Sequence, residues 1–160
     1  MEIEAKLKSL GLVLPEPFPG MPGLEMPFVW VRVRSNRAYI AGHGPQGPDG
    51  PMAPPFGKVG IDVTVEEAYN SARLTALSIL GSLKRELGDL DRVTAWLRVF
   101  GMVNAAPGFN RTTAVINGFS DLIVELYGPE RGRHARAAIG VSELPFNMPV
   151  EIEGEVEIRA

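Results

Sequence analysis

The segment from 150 to 158 is the feature that most limits how this chain can fold. Apolar or small residues alternate there with four acids, Glu151, Glu153, Glu155 and Glu157. A period of two sends successive side chains to opposite faces of a β-strand. One face of this strand is therefore apolar, and other elements must cover it. The chain must contain a sheet that is buried on at least one side.

Four earlier segments also carry the signature of strands, and they cover residues 29–34, 38–42, 92–103 and 135–141. The first, VWVRVR, alternates between valines and larger residues, and a Ser-Asn-Arg turn joins it to the second. In the third segment, alternation separates a valine-rich face from a face of bulky side chains. We expect the bulky set to lie on the side of the sheet that the helices leave open: Trp30, Trp96, Phe100 and Met102.

Two segments are predicted to form long helices. Thr64 and Glu67 make a capping box, apolar residues then recur at helical spacing, and Gly88 stands where a C-cap glycine is expected. These signals predict a helix over 65–87. A second helix is predicted over 110–127, where a Gly-Pro pair ends it. The predicted fold class is α+β, with two long helices packed on one face of a mixed sheet.

The length of 160 residues is typical of one domain, so we expect a single domain over 1–160. Residues 1–27 are expected to form an N-terminal arm, which starts with a short amphipathic helix at 2–11. Prolines and glycines interrupt residues 14–23, which indicates extended chain lying on the body of the protein. The loop at 43–57 is long for a compact domain, and it is either functional or a plain connection.

The predicted open face of the sheet carries large aromatic side chains. Large apolar groups on an uncovered face indicate that another chain supplies the cover. We therefore expect a closed homo-oligomer, although an amphipathic face that stays wet would show the same pattern.

Composition excludes several kinds of function. The formal net charge is -3, which argues against nucleic acid as a partner because phosphate contacts need a concentrated basic surface. The chain has no cysteine, so thiolate metal sites and cysteine nucleophiles are excluded, and a reducing cytoplasmic location is expected. The first residues do not form a signal peptide, and no apolar run is long enough to span a membrane.

His43 and His134 are the only histidines, and nothing in the spacing brings them together, so no metal site is predicted. Arg136 lies inside an otherwise small and apolar strand, and a guanidinium there is costly unless it meets an anion. That anion is either a carboxylate of the protein or a carboxylate of a ligand. Glu151 opens the next strand, and a hairpin could bring it close to Arg136.

The block from Arg136 to Pro145, followed by the strand that begins at Val150, resembles the C-terminal signature of the YjgF/Rid family, also called the endoribonuclease L-PSP family. That signature has an arginine, a short apolar strand, a Leu-Pro turn and an alternating strand opened by a functional glutamate. Asn36 to Gly42 resembles the first hairpin of the family, and Asn117 falls in the matching second helix. The resemblance covers residues 24–158.

The resemblance implies a chorismate-mutase-like (ferredoxin-like) fold and a homotrimer with clefts between subunits. It also implies hydrolysis of reactive enamines and imines, such as 2-aminoacrylate, to a keto acid and ammonia without cofactor or metal. Arg136 would hold the substrate carboxylate and Glu151 would activate water. Gly42 and Ala138 would supply backbone groups, and Asn117 would border the cleft.

The chain departs from the family pattern at the pocket wall. Phe28 stands where the family deaminases have tyrosine, His43 replaces a glutamine, and Ala137-Ala138 replaces a Ser-Cys pair. These changes keep two alternatives open. One is a non-catalytic trimer that binds small carboxylates, and the other is an endonuclease acting on single-stranded RNA. The acidic net charge argues against the RNA activity.

Overall fold

The computed structural model describes all 160 residues. Its fold is one five-stranded sheet packed against two long helices, with a short helix at the N-terminus. In chain order the elements are α1 (Glu2–Ser9), β1 (Val31–Arg34), β2 (Arg37–His43), α2 (Val65–Leu87), β3 (Val93–Asn104), α3 (Thr112–Gly132), β4 (Ala135–Val141) and β5 (Val150–Ile158). The order across the sheet is β1-β2-β5-β3-β4. Only the β3–β4 pair is parallel, and the other pairs are antiparallel. The predicted mixed sheet is confirmed.

Helix α2 begins and ends where its sequence signals place it. The hydroxyl oxygen of Thr64 accepts a hydrogen bond from the backbone N–H of Glu67 at 3.1 Å. Gly88 closes the helix in the left-handed region, with φ of 79°. That conformation is strained for residues with a Cβ, so the glycine gives a clean end to the helix.

Helix α3 runs further than predicted because the chain bends instead of ending at the Gly-Pro pair. Gly128 has φ of 78° and breaks the helical path, and one more turn follows from Pro129 to Gly132. Near its start α3 crosses α2 closely. A Cβ on Gly118 would collide with the carbonyl oxygen of Tyr69 on α2.

Strand β3 does not alternate evenly, and this overturns one prediction. Trp96 was expected on the open face of the sheet, but it is only 2% exposed and faces α3. Its ring lies 5.7 Å from that of Phe119 and 5.9 Å from that of Tyr127. The pairing with β5 shifts between Trp96 and Arg98, as in a β-bulge. The extra residue turns the strand over, so the even alternation assumed from the sequence fails there.

The core lies between the sheet and the two long helices, and the N-terminal arm adds to it. Ile3 and Leu7 of α1 are buried in the same apolar cluster as the helices. The rest of the arm passes the end of the sheet, where the ring of Phe18 lies 6.0 Å from that of Trp30. No helix in the protein combines the length and the apolar character needed to cross a bilayer.

Candidate functional site

A cavity of about 280 Å³ lies between the N-terminal arm and the ends of β2 and β5. Its walls are mostly apolar, with a few polar groups at one side, which is the usual make-up of a small-molecule site. The apolar lining comes mainly from Phe18, Leu24, Met26, Phe28, Trp30, Met52, Phe146 and Met148, and the polar lining from His43, Gln46, Ser82, Arg85 and Glu151.

Glu151 is a half-buried carboxylate without a hydrogen-bond or ion-pair partner. It stands between Val150 and Ile152, whose side chains are buried in the core, so Glu151 points away from the helices. Its side chain lies against Gly42, where an added Cβ would come within 2.7 Å of Oε2. Burial raises the pKa of Glu151, and the negative charge of Glu153 raises it further. Such a carboxyl can take up and release a proton closer to neutral pH.

His43 is buried and forms part of the cavity wall. Its Nδ1 lies 2.6 Å from the carbonyl oxygen of Ala41, and its Nε2 lies 2.8 Å from Oγ of Ser82. Burial, together with the positive charge of Arg85, lowers the pKa of His43 to about 4, although the hydrogen bond to Ala41 acts in the opposite direction. A neutral imidazole donates from Nδ1 to the carbonyl and accepts at Nε2, so His43 fixes the wall and is not a free base.

Phe28 stands at the mouth of the cavity, where its side chain is 50% exposed. Its ring packs edge-on against Trp30, at 5.2 Å between centroids. The cavity therefore has an aromatic lip without a hydroxyl.

Arg136 is partly buried on the edge strand β4 and reaches the helix α3. Its Nη1 donates to Oδ1 of Asn117 at 2.9 Å and to Oγ of Ser120 at 3.0 Å, and Nη2 donates to the carbonyl oxygen of Thr113 at 3.4 Å. No carboxylate of the chain forms an ion pair with it. Burial lowers the pKa of Arg136, and the negative charge of Asp121 opposes that shift.

The single chain does not bring Arg136 and Glu151 together. The expected hairpin between β4 and β5 is wrong, because β3 lies between these strands. Arg136 contacts α3 on the covered side of the sheet, whereas Glu151 points to the opposite side. The predicted site residues therefore fall into two groups. Phe28, Gly42, His43 and Glu151 line the cavity, while Arg136, Asn117 and Ala138 lie at the β4 edge.

Sequence reasoning missed several polar residues around both groups. Arg85 and Ser82 lie in the cavity wall, but on the sequence they fall within the last turns of a long helix, where polar residues are usually solvated. Ser120 links Arg136 to His134, whose Nε2 lies 2.9 Å from Oγ of Ser120. The spacing of these residues gives no hint of this link, because it depends on how α3, the short connection that carries His134, and β4 fold against one another.

One carboxylate cluster has ligand atoms close enough for a metal ion, formed by Glu4, Asp89 and Asp91. Two of its acids already have cationic partners within the chain, and Asp89 accepts a hydrogen bond from the backbone N–H of Asp91. Lys84 lies 2.7 Å from Glu4, and the N-terminal amine of Met1 pairs with Asp91. These contacts explain the cluster as structural.

Comparison with known proteins identifies relatives over the whole chain. Residues 50–152 match the family described as "YjgF/chorismate mutase-like, putative endoribonuclease". Protein TCP17 of Trypanosoma cruzi is 35% identical over 157 residues, which make up 98% of this chain and 94% of TCP17. The crystal structure of Atu1372 from Agrobacterium tumefaciens, a protein with unknown function, superposes with a TM-score of 0.87 and 39% identity, over 99% of this chain and 93% of that one.

A Shewanella oneidensis MR-1 crystal structure, described as a "putative endoribonuclease", also superposes with a TM-score of 0.87. It is 27% identical, and the match covers 99% of this chain and 100% of that one.

Proposed function

Because the chain belongs to the YjgF/chorismate mutase-like family, we propose that it hydrolyses reactive enamines and imines to keto acids and ammonia without a cofactor. One observation carries this proposal: the chain holds an arginine and a glutamate, Arg136 and Glu151, and neither has an oppositely charged partner. A partly buried guanidinium favours an anionic ligand, and a carboxyl with a raised pKa favours proton transfer.

A homotrimer would join the two groups of site residues. The edge strand β4 offers unpaired backbone groups and an exposed apolar residue, Ile139, which is 42% exposed. An open strand edge of this kind is suited to contact with another subunit. We place the β4 edge of one subunit against the cavity of the next, so that Arg136 and Glu151 of different subunits face one substrate.

In the proposed cleft each group has one task. Arg136 holds the substrate carboxylate through paired N–H donors, while Asn117 and Ser120 fix its orientation. Backbone groups at Gly42 and Ala138 hold the nitrogen end. Glu151 takes a proton from water as the C–O bond forms at the C=N carbon. That proton passes to the nitrogen to give a carbinolamine, and the remaining hydroxyl proton then moves through Glu151 to the nitrogen as the C=O bond forms, the C–N bond breaks and ammonia leaves. Positioning supplies most of the catalysis, because an imine is already electrophilic.

Release of pyruvate from 2-aminoacrylate tests the reaction directly. A dehydratase acting on serine generates 2-aminoacrylate, and the protein is added at a concentration comparable to that of the intermediate. We expect faster pyruvate release with the wild type and a loss of at least 100-fold in that acceleration with Glu151→Gln or Arg136→Ala. Arg133→Ala is the matched control, because Arg133 is an exposed arginine near the same strand. Equal rates with and without the wild-type protein exclude this substrate.

Phe28 favours a second candidate function, a non-catalytic trimer that binds small carboxylates. The ring of Phe28 packs on Trp30 and forms the rim of the cavity, but unlike tyrosine it has no hydroxyl to donate or accept a proton. Calorimetry with 2-oxobutyrate and benzoate separates the candidates. Binding that Arg136→Ala abolishes, in a wild-type protein without turnover, identifies a binder.

The family description also names an endoribonuclease activity. The net charge of -3 argues against it, since single-stranded RNA is bound by basic grooves with stacking aromatics. RNA decay that persists in Arg136→Ala would come from a contaminant.

A further inference from the structure

The cavity beside Glu151 has a continuous aromatic wall. The ring of Phe146 lies 6.0 Å from that of Phe18, and the ring of Phe18 lies 6.0 Å from that of Trp30. Phe28 continues the series, with its ring 5.2 Å from that of Trp30. The proposed catalytic steps take place at the carboxyl of Glu151 and use none of these four rings.

Phe146 is held in this wall by a backbone conformation that is unfavourable for it. Its φ is 59° and that of Asn147 is 56°, in the left-handed region that side chains with a Cβ rarely adopt. Buried Asn104 fastens the turn, because its Nδ2 donates to Oδ1 of Asn147 and to the carbonyl oxygen of Met148, both at 3.2 Å. A glycine would fit the turn with less strain, yet the position carries a phenylalanine that is 41% exposed. Strain that presents an exposed ring to a cavity points to a ligand contact.

The small imine 2-aminoacrylate would leave most of this wall in contact with water. Its side chain is a single methylene group, whereas the cavity of about 280 Å³ is close to the lower end of the range of sites that enclose a whole small ligand. A larger apolar side chain would displace that water and bury its own surface against the rings, which is favourable. Arg136 and Glu151 are proposed to contact only the parts that all 2-imino acids share. The side chain is therefore the part by which the cavity can distinguish between substrates.

We propose that the preferred substrates are 2-imino acids with a bulky apolar side chain, such as those formed from phenylalanine, leucine and methionine, and that Phe146, Phe18 and Trp30 contact this side chain. This substrate class rests on the proposed deaminase function and narrows it. Burial of such a side chain adds about 10- to 100-fold in kcat/KM, because its binding energy is also available in the transition state. An amide or charged side chain would lose its water against these rings without a hydrogen-bond partner in return.

The preference can be measured on the wild type by varying the side chain alone. An L-amino acid oxidase, with catalase to remove peroxide, generates the imines of alanine, leucine, methionine, glutamine and phenylalanine. Semicarbazide competes for the free imine, so the fall in semicarbazone formation on adding protein gives the relative kcat/KM. We expect the phenylalanine and leucine imines to exceed the alanine imine, which is the imine tautomer of 2-aminoacrylate, at least about tenfold. The methionine imine should exceed the glutamine imine, whose side chain has the same length, at least about tenfold.

The possible outcomes separate this preference from the reaction itself. Equal kcat/KM for all five imines overturns the proposed preference and leaves the deaminase reaction standing. A glutamine imine that reacts as fast as the methionine imine also overturns it, because length alone would then decide. Acceleration of none of the imines removes the deaminase reaction, and the substrate class with it.

Two phenylalanines of similar exposure locate the contact. Phe146→Ala should lower the ratio of kcat/KM between the phenylalanine and alanine imines at least about fivefold, and Phe146→Leu should restore most of it. Both variants keep a Cβ in the left-handed turn, so the backbone strain stays the same. Phe56→Ala is the matched control and should leave the ratio within about twofold, because Phe56 is 43% exposed and lies outside the wall of this cavity. An unchanged ratio in Phe146→Ala, with folding verified by circular dichroism, overturns the contact with Phe146.

Discussion

Each of the two histidines is neutral and helps to hold a nearby arginine in place through a serine that contacts both. His43 accepts a hydrogen bond from Ser82, and His134 stands in the same relation to Ser120. Protonation of either ring would place a second positive charge close to an arginine, and burial opposes it as well. Both rings therefore stay neutral, and their role is to orient hydroxyl groups.

The pKa of His43 gives a prediction about stability. It is about 4 in the folded protein, against 6.5 for a free histidine. The unfolded chain therefore binds a proton more readily than the folded one between these values, and acid favours unfolding. As pH falls from 6.5 towards 4, the shifted pKa of His43 should lower the free energy of unfolding by up to about 3 kcal/mol.

Urea denaturation from pH 7 to pH 4.5, on the wild type and on His43→Gln, checks this cost. The loss of unfolding free energy over that range should be smaller in the variant by about 2 kcal/mol. NMR titration of the imidazole gives the pKa directly. A His43 that titrates above pH 6 contradicts the prediction.

At the scale of single elements, local signals placed the regular structure well wherever the pattern was unbroken. Helix α2 and strands β4 and β5 begin and end at their predicted residues. Thr64 and Gly88 cap α2, and the acids of β5 alternate with apolar residues. These signals involve only residues close in sequence, so the sequence alone is enough to place the two elements. Trp96 was assigned to the wrong face because a β-bulge adds one residue to β3. No residue type around Trp96 indicates where that bulge lies.

The cap of α2 gives a prediction at this scale. Thr64→Ala removes the acceptor for the Glu67 N–H and should lower the free energy of unfolding by about 1 kcal/mol. Thr113→Ala is the control, because Thr113 is an exposed threonine near the start of α3 whose side chain caps nothing. Equal effects in chemical denaturation would mean that the cap contributes nothing specific.

The crossing of α2 and α3 gives a second prediction. In an exposed helix, changing glycine to alanine stabilises by about 1 kcal/mol. At Gly118 the added Cβ would collide with the carbonyl oxygen of Tyr69, so the helices must separate. Gly118→Ala should therefore destabilise by about 1–3 kcal/mol in thermal or urea unfolding. A gain in stability would show that the two helices can move apart freely.

At the scale of the whole molecule, strand order determines which residues can meet. The chorismate-mutase-like fold predicted from the sequence is confirmed, whereas the site residues predicted as one cleft fall into two groups in the single chain. It could not show that β3 separates Arg136 from Glu151, because long-range crossovers set the order of strands. Arg85 was missed for a related reason, since its neighbours in the cavity come from distant parts of the chain.

The open edge of β4 gives a prediction about assembly. Ile139→Glu places a charge on the strand edge proposed to contact the next subunit, and desolvating that charge is costly. Sedimentation should give a trimer of the 17.3 kDa chain for the wild type and a monomer for the variant. Ile61→Glu, at a turn where Ile61 is 73% exposed, should remain trimeric. A wild type that sediments as a monomer rules out the proposed shared cleft.

The outer wall of the cavity comes largely from one continuous stretch of chain, the arm that precedes β1. Residues between Pro17 and Trp30 supply much of the apolar surface of the cavity, yet they belong to none of the five strands of the sheet. Replacing this stretch should therefore change the cavity wall while the five strands and their order are kept. Chimaeras joined ahead of β1 therefore offer a route to new ligand specificities on the same sheet.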